Sequence, residues 1–159
     1  MNKFYLLLGS NMGNSRLQLE KAEKYINNKL GNITRKSKLY QTAAWGKKDQ
    51  PDFLNQVIIV ESTLDAQTGL SIILDIEHKM GRVRTEKNAP RIIDIDILYF
   101  NKDIIDLPDL QVPHPAIQMR RFVLTPLNEL SPNYRHPVLQ KTNHELLKIC
   151  SDELDVKKI

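Results

Sequence analysis

Apolar residues recur at helical spacing in two stretches of the chain. The first stretch follows a possible cap at residues 13–14 and ends at Gly31; its apolar positions are Leu19, Ala22, Ile26 and Leu30. The second follows Asp65, a favoured capping residue, and ends at Gly81; its stripe consists of Ala66, Leu70, Ile73, Glu77 and Met80. Each pattern predicts a helix that packs one face against a core.

Runs of apolar and β-prone residues predict strands around these helices. Residues 4–8 predict a fully buried strand that ends at Gly9, and further strands are expected at 33–40, 54–61 and 93–99. The resulting order is β-α-β-β-α-β. It is typical of an α+β, ferredoxin-like fold, in which two helices lie on one face of a mostly antiparallel sheet.

The chain beyond residue 100 predicts smaller additions to this fold. Residues 104–105 and 110–112 predict a hairpin, residues 120–127 an ordered apolar segment, and residues 143–150 a short final helix. The nine residues 151–159 are expected to be loosely held. Because no linker, repeat or low-complexity segment interrupts the pattern, residues 1–159 are interpreted as a single domain.

Composition narrows the class of protein. Hydrophobic residues make up 41% of the 159 residues and charged residues 26%, which is typical of a globular protein. The apolar run at 4–8 is too short for a signal peptide or a membrane span, so no membrane partner is expected. Cys150, the single cysteine, is expected to pack in the core and favours a reducing cytoplasm. The formal charge of +4 suits an anionic partner such as a nucleotide or a nucleic acid.

Two aspartates stand out in the strand at 93–99. Alternation places Asp94 and Asp96 one pleat apart on one face, and the opposite face carries Ile93, Ile95, Ile97 and Tyr99. Half-buried acids need a partner, and Mg²⁺ typically binds one or two carboxylates together with phosphate oxygens. Arg91 could place a cation beside the same phosphates. For the two acids taken alone, a solvated edge strand is the alternative.

Residues 87–98, KNAPRIIDIDIL, resemble the signature of the 6-hydroxymethyl-7,8-dihydropterin pyrophosphokinases, folate-pathway enzymes. Further segments resemble the same family in the same order: 8–11, 50–55, 81–84, 112–115 and 120–124. The resemblance covers most of the chain from residue 5 to about residue 132. It implies an ATP- and Mg²⁺-dependent transfer of pyrophosphate to the pterin alcohol, giving AMP and the pterin diphosphate. We expect a cytoplasmic monomer that binds these small molecules and no nucleic acid.

The resemblance also assigns roles to polar residues. It places two Mg²⁺ ions on Asp94 and Asp96, and Arg82 and Arg91 on the transferring phosphates. The residues implied in ATP binding are Arg84, Glu77, Ile97, His114 and Arg120. The basic stretch 81–90 would act as a mobile lid, or, on composition alone, as a solvated loop. This chain has Asn88-Ala89 where many members carry Trp-Gly, so loop closure here would use other contacts.

A flat pterin needs an aromatic sandwich and polar groups that match its amide edge. The resemblance gives Phe53 and Phe122 the first task and Asn55 the second, with Thr42, Ala43 and Trp45 lining the same pocket. Phenylalanines are more often core residues, which is the alternative for these two. Asn55 is harder to explain as structural, because it interrupts an otherwise apolar strand.

Two other functions share part of the pattern. RNA-binding modules of ferredoxin-like fold have the same element order and stack bases on aromatic residues of the third strand. Here residues 54–61 lack that aromatic pattern, and the paired aspartates would repel a phosphate backbone. A small-ligand regulatory domain has no use for four arginines around two aspartates. The sequence therefore favours the pyrophosphokinase.

Overall fold

The computed structural model describes residues 1–44, 49–83 and 89–159. The elements of its first part are β1 (Asn2–Ser10), α1 (Ser15–Lys29), β2 (Asn32–Lys36), β3 (Tyr40–Thr42), β4 (Phe53–Ser62), α2 (Ala66–Lys79) and β5 (Asp94–Phe100). The second part adds β6 (Ile105–Leu107), β7 (Leu110–Val112), a 3-10 turn (Ile117–Met119), α3 (Arg121–Leu130), α4 (Asn143–Ile149) and β8 (Val156–Lys158). Among the described residues, no helix has the length and apolar character needed to cross a membrane.

The main sheet confirms the ferredoxin-like prediction. Its strands run in the order β5-β1-β4-β3-β8, β2 also pairs with β4, and every pairing is antiparallel. The predicted strand at 33–40 is divided into β2 and β3 by residues 37–39. At this break the regular backbone hydrogen bonding is interrupted, and the Val57 N–H donates to the Ser37 hydroxyl at 3.0 Å. Strands β2 and β3 thus share the place of one strand beside β4.

Both predicted helices form where local signals place them. The Asn14 side chain accepts the Leu17 N–H at the start of α1, and the Asp65 side chain accepts the Thr68 N–H at the start of α2. Such capping contacts satisfy N–H groups that have no partner within the helix. The two helices cover one face of the sheet. The core between them and the sheet includes Phe4, Leu6, Leu8, Leu19, Ile26, Ile58, Ile73 and Ile97.

The opposite face of the sheet is covered by α3 and α4, which pack on Tyr5, Leu7, Val57 and Ile59. Tyr99 belongs to this face, so its predicted place beside Ile95 and Ile97 is wrong. The cause is a β-bulge: Tyr5 pairs with Tyr99 but Leu6 pairs with Ile97, which leaves Leu98 as an extra residue. From Leu98 onward the alternation is therefore inverted.

The hairpin of β6 and β7 and the helix α4 confirm the predictions for the second part of the chain. Residues 151–159 do not fit the prediction that they are loosely held. Strand β8 pairs with β3, with Val156 opposite Thr42, and the Ile159 N–H donates to the Leu39 carbonyl at 3.0 Å. The reason is that β3 presents unpaired backbone groups at the edge of the sheet, which a further strand can satisfy.

Candidate active site

The strand ends of the main sheet enclose a pocket on the face covered by α3. In the register of the sheet, Gly9 lies opposite Asn55 on β4 and opposite Asp94 on β5. The strand order therefore brings an amide and a carboxylate, 39 residues apart in sequence, to either side of one glycine. We call this the central pocket; it is lined by Leu7, Gly9, Thr42, Ala43, Phe53, Asn55, Arg91, Asp94, Asp96, Arg120 and Phe122.

The part of the central pocket next to β3 and β4 combines aromatic rings with an ordered amide. Asn55 is 3% exposed, and its side-chain nitrogen donates to the Thr42 hydroxyl at 2.9 Å. That contact fixes the orientation of the amide. The guanidinium carbon of Arg91 lies 5.1 Å from the centre of the Phe53 ring, and that of Arg120 lies 5.8 Å from the centre of the Phe122 ring. Both phenylalanines line the central pocket, and Phe122 also packs against the core on that face.

Gly9 forms the floor of the central pocket, between the part beside β4 and the part beside β5. A Cβ atom at this position would lie 3.1 Å from the Asn55 Oδ1 and 3.7 Å from the Phe53 Cδ1. The first distance is shorter than an ordinary van der Waals contact. Because Asn55 is held by Thr42, it has little freedom to move away. Glycine is thus the residue that leaves room for a ligand at this point.

Charged groups converge on Asp94 at the other side of the pocket. Arg82 Nη1 donates to Asp94 Oδ1 at 2.8 Å, and Arg91 Nη1 donates to Asp94 Oδ2 at 2.9 Å. Glu77 Oε2 accepts from Arg82 Nη1 at 2.7 Å and from the Ile95 N–H at 2.8 Å. Glu77 is therefore the buried acid that joins α2 to β5. Glu77 thus lies on the buried stripe of α2, and the Arg82 guanidinium balances its charge.

Asp96 has a different environment from Asp94. Burial, and then the neighbouring charges of Asp94 and Glu77, raise the pKa of Asp96, while Arg120 and Arg82 oppose the change. Its negative charge is thus unfavourable in the protein alone and would be stabilised by an added cation. The described residues hold no cluster of three or more metal-ligating side chains. Two carboxylates facing an open pocket nevertheless fit Mg²⁺, which completes its shell with phosphate oxygens and water.

A second groove adjoins the central pocket along β5, and Asp96 borders both. The residues that line the groove are Leu70, Leu74, Ile95, Asp96, Ile97, Pro108, Asp109, Leu110, Gln111, His114 and Pro115. His114 is positioned by the bulge in β5, because its N–H donates to the Leu98 carbonyl at 2.9 Å. Its Nδ1 accepts the Ala116 N–H at 3.1 Å, and burial, followed by the charge of Arg120, lowers its pKa. A neutral ring that accepts at Nδ1 carries its proton at Nε2 and can donate there.

Most of the residues that the sequence singles out meet around these two cavities. Arg82, which belongs to the stretch 81–90, and Arg91, which follows it, both lie against Asp94, with side chains 12% and 17% exposed. Trp45, Arg84 and Asn88 lie outside the described residues, so their assigned roles stay predictions.

Two residues with a place in the site received no role from the sequence: Gly9 and Asn11. Asn11 is buried, accepts the Arg91 N–H at 2.9 Å through its side chain, and donates to Gln50 and Pro51 at 2.7 and 3.0 Å. It thereby joins the segment before β5 to the segment before β4. The signal that could have identified both residues is the segment at 8–11, which resembles the family but contains no charged group.

Comparison with known proteins gives one consistent family. The model of the 7,8-dihydro-6-hydroxymethylpterin-pyrophosphokinase (HPPK) family matches residues 5–132. The 2-amino-4-hydroxy-6-hydroxymethyldihydropteridine pyrophosphokinase of Aquifex aeolicus is 38% identical over 146 residues, which covers 89% of this chain and 88% of the relative. The enzyme of the same name from Pseudomonas aeruginosa is 38% identical, with 86% and 85% covered.

Longer proteins match over one part of their length. The folic acid synthesis protein FOL1 of Dictyostelium discoideum is 37% identical over 91% of this chain, but the match spans only 22% of that protein. Among solved structures, Plasmodium falciparum HPPK-DHPS superposes with a TM-score of 0.78 at 22% identity, covering 92% of this chain and 43% of the other. At this identity the structural match supports the fold alone.

Proposed function

This chain belongs to the HPPK family, and we propose that its central pocket and the adjoining groove transfer a pyrophosphoryl group from ATP to 6-hydroxymethyl-7,8-dihydropterin. Pyrophosphate transfer in folate biosynthesis is the function that the family and its curated members share. The observation that carries the assignment to this site is the register of β1. Gly9 separates an ordered amide, in a pocket that two phenylalanines also line, from a carboxylate held by two arginines.

The half of the central pocket beside β3 and β4 suits the pterin. Phe53 and Phe122 offer ring faces to a flat heterocycle, and Asn55 offers a donor and an acceptor to its amide edge. Thr42 holds that amide in place, and Ala43 lines the same pocket. Trp45 is assigned to the same ligand on the family pattern. In this pose the hydroxymethyl group would point across Gly9 toward the aspartates.

The groove along β5 suits ATP. Its apolar wall, which includes Ile97, can receive the adenine, and His114 can donate from Nε2 to a phosphate oxygen. Arg120 lies where the groove and the central pocket meet and can balance phosphate charge. Glu77 acts in this proposal by holding Arg82 rather than by touching the nucleotide. Arg84 keeps its assignment to the nucleotide on the family pattern.

Asp94 and Asp96 are the residues that would hold two Mg²⁺ ions. When bound, Mg²⁺ would neutralise phosphate charge and lower the pKa of the attacking hydroxyl. The arginines act on the same group. Arg82 and Arg91 lie beside Asp94. In this proposal the phosphates that ATP transfers would occupy the adjoining space and face the pterin. Fixed cations in a site shielded from water stabilise the negative charge that develops during the transfer.

The transfer itself needs positioning more than a protein base. The pterin hydroxyl oxygen forms a bond to the β-phosphorus of ATP, the bond from that phosphorus to the oxygen bridging to the α-phosphate breaks, and AMP leaves with the electron pair. The pterin hydroxyl proton goes to solvent. Aligning the two substrates across Gly9 makes the reaction effectively unimolecular.

The experiment that tests this function supplies the protein with ATP, Mg²⁺ and 6-hydroxymethyl-7,8-dihydropterin and identifies the nucleotide product. AMP formation that requires the pterin supports the proposal, and ADP formation excludes pyrophosphoryl transfer. Asp94→Asn should abolish the reaction, and Asp106→Asn, a change of an exposed acid on the hairpin strand β6, should leave it unchanged.

We also infer that the protein acts as a cytoplasmic monomer without nucleic-acid partners. The single cysteine and the absence of an aromatic base-stacking pattern on β4 support this inference. Light scattering after gel filtration would test whether the protein is a monomer. A melting temperature that rises with Mg-ATP but not with RNA would support the inference that it binds no nucleic acid.

A further inference from the structure

Helix α3 begins without a side-chain cap from its own N-terminal residues. Arg120 occupies the capping position and its side chain makes no capping hydrogen bond. The Asp152 side chain takes that role, since its Oδ2 accepts the Arg121 N–H at 3.0 Å. Asp152 is 9% exposed, and its Oδ1 accepts the Leu154 N–H at 3.1 Å. A carboxylate at the start of a helix satisfies a free N–H and interacts favourably with the helix dipole.

The Arg121 side chain ties the same two segments together a second time. Its Nε donates to the Asp152 carbonyl at 2.8 Å, and its Nη2 donates to the Cys150 carbonyl at 3.1 Å. Backbone and side chain of one residue are thus both held by residues 150–152. The guanidinium of Arg121 is thereby engaged by two backbone carbonyls.

A few residues further on, the chain joins the opposite wall of the central pocket. Strand β8 pairs with β3 so that Val156 lies opposite Thr42 and Lys158 opposite Tyr40. Thr42 is the residue that orients the Asn55 amide. The stretch 150–158 therefore holds one wall through the start of α3 and the other wall through the edge of β3.

We propose that residues 150–158 form a brace for the pterin half of the central pocket, with Asp152 and Arg121 as its positioning residues. Arg121 lies between Arg120 and Phe122, which both line the pocket, so a shift of the first turn of α3 moves both side chains. The brace lies outside residues 5–132, which the family model matches, apart from Arg121 itself. This inference rests on the proposed function, because it takes the pterin as the ligand.

The brace acts on the N-terminal end of α3, at residues 120–122, rather than on the stability of the whole helix. Val123, Leu124 and Leu127 are buried against the sheet and anchor the rest of α3. Loss of the Asp152 contact would therefore leave α3 in place and release only its start. This difference separates a positioning role from a purely structural one.

The test compares Asp152→Ala with Asp152→Asn and with Glu153→Ala, a control that removes an exposed charge from the same stretch. Binding of 6-hydroxymethyl-7,8-dihydropterin is measured by calorimetry. Asp152→Ala should weaken it about tenfold, the equivalent of about 1.4 kcal/mol. Asp152→Asn should restore most of the affinity because asparagine is also a good cap. Glu153→Ala should bind as the wild type does, and equal affinity of all variants would overturn the proposal.

A double-mutant cycle with Phe122→Ala provides the decisive readout. If Asp152 acts through the position of Phe122, Asp152→Ala should have little further effect on pterin binding once the ring is gone. Additive effects would mean that Asp152 acts on the protein in general, and the proposal would fail.

The wild-type product assay separates this failure from failure of the proposed function. If wild-type protein forms AMP from ATP and the pterin while Asp152→Ala binds the pterin normally, only the brace is wrong. If wild-type protein neither binds the pterin nor forms AMP, the proposed function is wrong, and the proposal of a brace is then wrong as well.

Discussion

The two aspartates of β5 have unequal surroundings although they share a face of the strand. Both carboxylate oxygens of Asp94 accept a hydrogen bond from an arginine, whereas the charge of Asp96 lies near two other acids and is disfavoured by burial. Alternation along the strand predicts the same behaviour for both: neutralising either one relieves repulsion and leaves the metal-free protein as stable as before, or more so. The contacts of Asp94 predict a difference instead.

Asp94→Asn and Asp96→Asn should both abolish turnover, because each removes a carboxylate from the proposed metal site. Their effects on the protein without Mg²⁺ should be opposite. Asp94→Asn should lower the free energy of unfolding by about 1–2 kcal/mol, since Arg82 and Arg91 lose charged partners. Asp96→Asn should leave it unchanged or raise it, because an unfavourable charge is removed. Urea titrations at neutral pH without metal would measure both values. Equal changes for the two variants would mean that the arginine contacts of Asp94 do not contribute.

Gly9→Ala should weaken pterin binding roughly tenfold, the equivalent of about 1.4 kcal/mol, by pressing a methyl group against Asn55. The protein should melt at a slightly lower temperature, because Asn55 is held by Thr42 and cannot easily move away from the added methyl group. Mg-ATP binding should not change. Calorimetry with each ligand checks the result, and Ser10→Ala, on the opposite face of β1, is the matched control. A pterin affinity unaffected by Gly9→Ala would exclude the floor of the pocket from the binding site.

At the scale of elements, the junction of α2 and β5 positions Arg82. Glu77 lies on the buried face of α2, and its side chain is 4% exposed. It accepts hydrogen bonds from the Arg82 guanidinium and from the Ile95 N–H. Its Ile95 contact lies between the two aspartates, so α2, β5 and Arg82 are held as a unit. Arg82 therefore has two roles that a single substitution would confuse: it neutralises Glu77, and it faces the proposed phosphate site.

Arg82→Ala should lower turnover by roughly a thousandfold, by analogy with the loss of an arginine in other phosphoryl transfers. It should also lower the free energy of unfolding by about 2–3 kcal/mol, because Glu77 is left buried without its cation. The double variant Glu77→Gln/Arg82→Ala should recover most of the stability and none of the turnover. Denaturant titration and pre-steady-state kinetics separate the two effects. Recovery of turnover in the double variant would show that Arg82 acts only on the structure.

At the scale of the whole molecule, the sheet separates two cores, and His136 lies against the core on the side of α3 and α4. His136 is 4% exposed and its Nδ1 accepts the Val138 and Leu139 N–H groups at 3.2 and 3.0 Å. Its ring lies 5.7 Å from that of Tyr99, which faces the same core. Burial lowers the pKa of His136 below its ordinary value. The folded state therefore binds a proton at this site less readily than the unfolded state does.

The free energy of unfolding should fall as the pH drops below about 6.5, the ordinary pKa of histidine. This loss should end once the pH lies below the lowered pKa of His136 in the folded protein. Each unit by which the pKa is lowered contributes about 1.4 kcal/mol to this loss. His136→Asn keeps an acceptor for the two N–H groups and cannot be protonated, so its stability should fall less between pH 7 and pH 5. Urea titrations across this range compare the free energies of unfolding of the two proteins. Because both proteins contain the same carboxylates, a difference between the profiles reports on His136. Identical pH profiles would mean that His136 does not titrate on unfolding.

The sequence by itself determined the helices, the order of the elements along the chain and the residue types that meet at the candidate site. Helix positions follow from local signals, such as the capping side chains of Asn14 and Asp65 and the periodic apolar residues after them. The paired aspartates, the amide of Asn55 and the arginines near residue 90 are recognisable because their types and spacing are unusual in an apolar frame. These features depend on residues that are close together in the chain.

Only the tertiary structure decided how distant segments meet. The bulge at Leu98 arises from the pairing of β5 with β1, and it reverses the face of Tyr99 that alternation predicts. Residues 151–159 are polar and lack a strong pattern, but β3 offers them an edge and Arg121 offers them a partner for Asp152. The difference between Asp94 and Asp96 likewise depends on the fold, because burial disfavours the charge of Asp96, and Glu77 and Arg82 are brought to β5 from the end of α2. Register, edge pairing and the electrostatic surroundings of a buried charge depend on contacts between segments far apart in sequence, and for that reason local pattern does not determine them.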